Sequence, residues 1–149
     1  MSLTVRDLEP GDEARWRELW RGYCDFYKKR VPENVSDETW RRLLDKNQET
    51  MFGLVACGND GAAVGMVNCV LHPVTWGTAP VCYLEDLFVY PAARNKGAGR
   101  ALIEAVYERG RKEGWHRVYW RTEQDNATAR ALYDKVCDLT DWVVYEVAL

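Results

Sequence analysis

The chain has 149 residues, 47% of them hydrophobic, and a formal net charge of −3 at pH 7. That is enough for one domain with a proper core, and it excludes a disordered chain. Acidic and basic residues are interleaved, so there is no sustained basic face for general nucleic-acid binding, and no apolar run approaches the roughly 20 residues of a membrane span.

The N-terminus lacks the basic and apolar blocks of a signal peptide, which predicts a cytoplasmic protein. Five cysteines (Cys24, Cys57, Cys69, Cys82 and Cys137) form no CxxC, and the two histidines are His72 and His116. Neither a disulfide framework nor a metal site is expected from that pattern.

Residues 3–8 alternate weakly and predict a first strand. Glu9-Pro10-Gly11-Asp12 is a turn that places Asp12 to cap a helix running to about Lys28. Trp16, Leu19, Trp20, Tyr23, Phe26 and Tyr27 recur along that helix at spacings of three and four. Most of this stripe is expected to meet the core. One edge of it, Trp20, Tyr23 and Tyr27, is expected to wall a substrate pocket, because aromatic faces hold cationic amines.

Ser36 is placed to cap a second helix through about Lys46. Residues 51–57 and 62–71 predict a hairpin around Gly58-Asn59-Asp60-Gly61, whose residues accept positive φ. A loop at 72–80 borders the next strand, in which Leu84, Leu87, Phe88 and Val89 are apolar and which Pro91 stops. From Gly99 the period becomes helical, with Leu102, Ile103 and Val106, and Gly114 ends that helix. A strand at 115–122 and a helix capped by Asp125 or Asn126 follow. The tail at 139–149 predicts a last strand that closes the sheet. The order β-α-α-β-β-β-α-β-α-β predicts an α/β (α+β) domain over residues 1–149, with a mixed, mostly antiparallel sheet and helices on both faces.

The turn between the central strand and its helix carries chemistry. Arg94, Lys96 and Arg100 surround Gly97 and Gly99 just where a helix N-terminus exposes unpaired N–H groups. Glycines let an anion approach those donors closely, which predicts a phosphate-binding turn. No Gly-Lys-Ser/Thr follows as in a P-loop, and Arg94 stands where a dinucleotide fingerprint needs its first glycine. The flanking charges favour a pyrophosphate.

Arg94-Asn95-Lys96-Gly97-Ala98-Gly99 matches the Arg/Gln-x-x-Gly-x-Gly/Ala signature, and in this the chain resembles the GNAT family of acyl-CoA-dependent N-acyltransferases. The strand Leu84-Glu85-Asp86-Leu87-Phe88-Val89, the later Asn126 and Tyr133, and the element order extend the resemblance over nearly the whole chain. Tyr83 through Val89 and Tyr119-Trp120-Arg121-Thr122 look like the branch that acetylates polyamines and other small amines.

The resemblance implies acetyl-CoA as donor, with its pyrophosphate on residues 94–99 and Arg100 (Arg94, Asn95, Lys96, Gly97, Ala98, Gly99) and its pantetheine arm along Leu87, Phe88 and Val89. Asn126 and Tyr133, seven residues apart, share a helix face about 10 Å long, where they would meet the arm's amide and sulfur. The implied reaction is direct attack by a primary amine of a polyamine, diamine or amino-acid-like acceptor. Glu85 is the first candidate base and Asp86 the second, with only one of them facing the pocket unless the strand is bulged. A backbone N–H near Phe88 would polarise the thioester, and Tyr133 would protonate the leaving thiolate. Glu85 also joins Trp20, Tyr23 and Tyr27 as a substrate-binding candidate. No metal, nucleic acid or membrane is implied, and the branch suggests a homodimer. A protein or peptide N-acetyltransferase and a non-catalytic acyl-CoA sensor are the competing readings.

Overall fold

The computed structural model describes residues 2–149. Its sheet has five strands in the order β1-β2-β3-β4-β5: β1 Thr4–Asp7, β2 Met51–Cys57, β3 Ala63–His72, β4 Val81–Val89 and β5 Val118–Tyr119. The first four are antiparallel to their neighbours, and β5 is parallel to β4. The helices are α1 Glu13–Phe26, α2 Glu33–Leu44, α3 Ala98–Glu113 and α4 Ala127–Val136.

Each face of the sheet buries its own core. On one face, Val55, Met66 and Phe88 pack with Trp16, Leu19, Trp40 and Leu43 of α1 and α2. On the other, Leu54, Val67, Cys69, Cys82 and Leu84 pack with Leu102, Ile103 and Val106 of α3, joined by Leu132 and Tyr133 of α4. The stripe on α1 divides accordingly. Trp16 and Leu19 are fully buried, Trp20, Tyr23 and Tyr27 are half-buried, and Phe26 is exposed. At Gly22 a Cβ would stand 2.6 Å from the Phe88 ring, so a side chain there would lift α1 off β4.

The helix boundaries differ from expectation in ways that local chemistry explains. Asp12 caps nothing in α1, because its carboxylate is taken by Arg6 at 2.8 Å and by the Glu9 N–H. α2 starts at Glu33, three residues before Ser36, because Pro32 in an extended conformation already supplies the entry. Ser36 then lies inside the helix and accepts a hydrogen bond from Trp20 Nε1.

The expected closing strand is absent. Among the described residues, 138–149 carry no strand, and Trp142, Val143, Val144, Tyr145 and Val147 are 64–93% exposed. β5 is also shorter than the predicted 115–122, pairing only at Cys82 with Val118 and Tyr83 with Tyr119. Two residues of ladder are too little edge for another strand, and the tail is apolar on both alternating faces, so a single sheet cannot cover it.

Candidate active site

The site is organised by a defect in β4. The register with β3 runs without interruption from Gly65–Val89 to Asn68–Asp86, then jumps to Cys69–Leu84, which leaves Glu85 without a partner. The side-chain pattern agrees: Leu84 and Leu87 both pack in the α3 core, so the two residues between them both face α1. A β-bulge does this, turning two successive side chains to one side. Sequence alternation alone would have separated Glu85 from Asp86; the bulge brings both to one face.

Their surroundings differ. Asp86 is buried, and its carboxylate accepts a hydrogen bond from Asn68 Nδ2 at 3.1 Å. Asn68 Oδ1 in turn accepts from Trp16 Nε1 at 3.2 Å. Burial pushes the Asp86 pKa up to about 6, against the lowering effect of the Asn68 hydrogen bond and the nearby Tyr23 hydroxyl. Glu85 is exposed on the bulge. Desolvation on its protein side raises its pKa, and the Arg121 guanidinium works in the opposite direction.

Tyr23 lies over both carboxylates, its hydroxyl 3.4 Å from the Glu85 carbonyl oxygen, and burial beside Asp86 raises its pKa. Tyr27 packs on Tyr23 with ring centroids 4.9 Å apart. Trp20 does not join this group. It stacks on Tyr23 at 5.7 Å, donates to Ser36 and lines a recess of about 170 Å³ between α1 and α2 to which no β4 residue contributes.

Past the bulge, β4 and β5 separate. Tyr90 N–H bonds to Val64, so the N–H and C=O groups of Phe88, two residues before it, also point to β3. Those of Leu87 and Val89 therefore point away from β3, into the gap where β5 no longer pairs. The Val89 carbonyl accepts from Arg94 Nε at 3.0 Å. The N–H groups available there belong to Leu87 and Val89, not to Phe88, whose ring is buried in the α1 core.

The turn after β4 has the backbone that an anion site needs. Asn95 at φ 63° and Gly97 at φ 88° are left-handed, and α3 begins at Ala98, so its first N–H groups have no helical partner. Arg94 lies over the Phe88 ring at 5.3 Å, Lys96 Nζ donates to the Ala92 carbonyl at 3.3 Å, and Arg100 pairs with Glu104 at 2.8 Å. All three side chains are exposed. Gly99 faces Leu132 of α4, the nearest atom 3.4 Å from where a Cβ would be.

Asn126 caps α4, with its Oδ1 accepting the Ala129 N–H at 3.3 Å. Tyr133 is half-buried, edge-on to Trp120 at 5.2 Å. Burial first, and Tyr27 second, push its pKa up to about 12, so the phenol keeps its proton at neutral pH.

Four residues of this region had no site role in the sequence reading: Asn68, Tyr83, Tyr119 and Arg121. Asn68 had a signal, as a lone amide in the apolar run Met66-Val67-Asn68-Cys69-Val70. Tyr83 and Tyr119 stack at 4.9 Å across the last rung of the sheet, and Tyr119 hydrogen-bonds His72 Nε2 at 2.8 Å. Their pairing depends on register, which spacing does not reveal.

A mixed sheet that opens beside a bulged central strand, followed by a left-handed turn into a helix, has the free strand edge and the anion-ready helix start that the resemblance to acyl-CoA-dependent acyltransferases implies. Comparison with known proteins agrees. The Acetyltransferase (GNAT) family pattern matches residues 16–138, and the chain belongs to that family. It is 38% identical to the D-amino-acid N-acetyltransferase HPA3 of Saccharomyces cerevisiae, across 97% of this chain and 89% of that protein. It is 29% identical to an aminoglycoside N(6')-acetyltransferase type 1 of Stenotrophomonas maltophilia, across 95% of this chain and 90% of that one. Its fold superposes with TM-score 0.84 on the aminoglycoside acetyltransferase AAC(6')-Iy in complex with a bisubstrate analogue, at 20% identity and covering 100% and 99% of the two chains. The protein is an acyl-CoA-dependent N-acyltransferase.

Proposed function

We propose that this enzyme transfers an acetyl group from acetyl-CoA to the primary amine of a small, amino-acid-like substrate by direct attack. The observation that carries the reading is the bulge, which sets Glu85 and Asp86 side by side under Tyr23 at the mouth of the gap between β4 and β5. Among polyamine, diamine and amino-acid-like acceptors, the similarity to a D-amino-acid N-acetyltransferase favours the last.

Alkyl amines are largely protonated at neutral pH, so a base must take the proton. Glu85 is exposed and has no hydrogen-bonded partner to displace, so it accepts that proton directly or through a water. Asp86 is engaged by Asn68 and Tyr23 and holds the floor of the pocket. Bound acetyl-CoA supplies the thioester. Residues 94–100 would hold its pyrophosphate on their backbone N–H groups, and the free edge at Leu87 and Val89 would hold its arm and polarise its carbonyl. Tyr133, protonated at neutral pH, donates to the departing sulfur. Asn126, its Oδ1 given to the cap and one Nδ2 hydrogen to Thr122 Oγ1, would offer its other Nδ2 hydrogen to the arm.

We place the enzyme in the cytoplasm as a homodimer. In support, all five cysteines are free, and the tail at 139–149 exposes apolar side chains that a second copy of the chain would cover. Thiol release from acetyl-CoA against amino acids, polyamines, an aminoglycoside and a basic peptide tests the activity. Amino acids are expected to turn over best; release with the peptide alone, or tight acetyl-CoA binding with no release, overturns the reading. A solution mass of one chain overturns the dimer.

A further inference from the structure

We propose that Arg121 is the acceptor's carboxylate anchor: it grips the carboxylate of an amino-acid substrate while the amine faces Glu85. The inference rests on the amino-acid reading above and deepens it by naming the residue that makes a carboxylate an advantage.

The geometry comes from the last rung of the sheet. β4 and β5 pair in parallel at Cys82–Val118 and Tyr83–Tyr119. Continuing that register sets Leu84 opposite Trp120 and Glu85 opposite Arg121, across the opening gap. Leu84 and Trp120 both pack in the α3 and α4 core. Alternation then turns Tyr119 and Arg121 to the other face, the one that carries Tyr83 and Glu85. The stacking of Tyr83 on Tyr119 at 4.9 Å confirms that the two side chains share this face. An anionic group and a cationic group are thus held on opposite lips of one cleft, with an aromatic pair beside them. A zwitterion carrying an amine and a carboxylate on one carbon presents the complementary charges.

The guanidinium is available for this work. Arg121 is 58% exposed, and its carboxylate partner is Glu146 of the C-terminal tail at 3.2 Å, itself 71% exposed. An ion pair so open to water is weak, and a substrate carboxylate can displace it. Glu146 shows that a carboxylate reaches the guanidinium from the solvent side. The guanidinium's planar fork suits two-point carboxylate binding in a way that a lysine does not.

A consequence for the base follows. Desolvation raises the Glu85 pKa, and the guanidinium limits that rise. A bound carboxylate neutralises that charge and makes Glu85 a better proton acceptor when an amino acid is in place.

The test compares phenylalanine, as both enantiomers, with phenethylamine, which lacks the carboxylate. The readout is the ratio of kcat/KM for the amino acid to that for the amine. Arg121→Gln is expected to lower this ratio by ten- to a hundredfold, the worth of a charge-assisted pair, through KM for the amino acid. Arg121→Lys should restore part of it. Arg121→Gln should also move the acidic limb of the phenethylamine profile to higher pH, because Glu85 loses the charge that lowers its pKa. Glu146→Gln should lower KM for phenylalanine by removing the competing carboxylate. An unchanged ratio in Arg121→Gln, or wild-type enzyme that turns over phenethylamine but neither enantiomer, overturns the anchor. Turnover of neither compound, with acetyl-CoA still bound, overturns the amino-acid reading itself.

Discussion

The middle of β4 and the turn that follows it solve opposite problems. The turn at 94–100 is one continuous stretch whose features are mostly backbone: two left-handed residues, a helix start and no bulky side chain at Gly97 or Gly99. At the bulge, the proposed acceptor site draws on side chains from α1, β3, β4 and the segment after β5, none of them consecutive except Glu85 and Asp86. A cofactor shared by many enzymes calls for a reusable backbone cradle. A particular acceptor calls for side chains that can vary independently, and a strand defect is a compact way to aim two of them at once.

Tyr133 is the residue proposed to protonate the leaving sulfur, so its variant should have the largest effect. Tyr133→Phe removes only the hydroxyl and keeps the edge contact with Trp120. If the phenol protonates the leaving sulfur, kcat falls by roughly 10² to 10⁴, the usual worth of a general acid, while acetyl-CoA affinity by calorimetry stays within a factor of two or so. Parallel losses in affinity and turnover would assign Tyr133 to the donor cradle instead, and would blur the contrast between the two regions.

A smaller effect, confined to the donor end, is expected from Gly97→Ala. Nothing lies within 4 Å of the added methyl, so the change is one of backbone preference alone. A left-handed residue other than glycine costs roughly 1–2 kcal/mol, which predicts a five- to thirtyfold rise in KM for acetyl-CoA with kcat little changed. A fall in kcat with unaltered KM would show that the turn takes part in chemistry.

How much of this was legible in the sequence follows the same division. The turn was readable because its signals are local: glycines, basic residues and a change of hydrophobic period within a dozen positions. The element order as far as the fourth helix, the hairpin at 58–61 and a helix cap at Asp125 or Asn126 were readable for that reason as well. The bulge was not, since Leu84-Glu85-Asp86-Leu87 is as compatible with regular alternation as with a defect, and the choice is made by packing against Phe88, Asn68 and α3. The role proposed for Arg121 was hidden because it depends on register with a strand some 36 positions away. The tail misled in the other direction. Trp142-Val143-Val144-Tyr145 has every residue preference of a strand, yet preference supplies no neighbouring edge to pair with.

The smallest effect concerns stability at the acceptor end. Asp86 has a folded pKa of about 6 against an unfolded value near 3.8. Between those values the folded state holds a proton that the unfolded chain has released, so folding is favoured at low pH and this contribution is lost as pH rises through about 6. From pH 5 to pH 8 the loss is on the order of 1 kcal/mol, a few degrees in Tm for a domain of this size. Asp86→Asn keeps an acceptor for Asn68 and removes the buried charge. The variant should therefore lose this part of the pH dependence and gain stability relative to wild type above pH 7, while its activity drops. Equal pH dependence of Tm in the two proteins would mean that Asp86 stays ionised without penalty. The two carboxylates on the bulge would then have lost the electrostatic difference by which Glu85 is assigned the proton and Asp86 the floor.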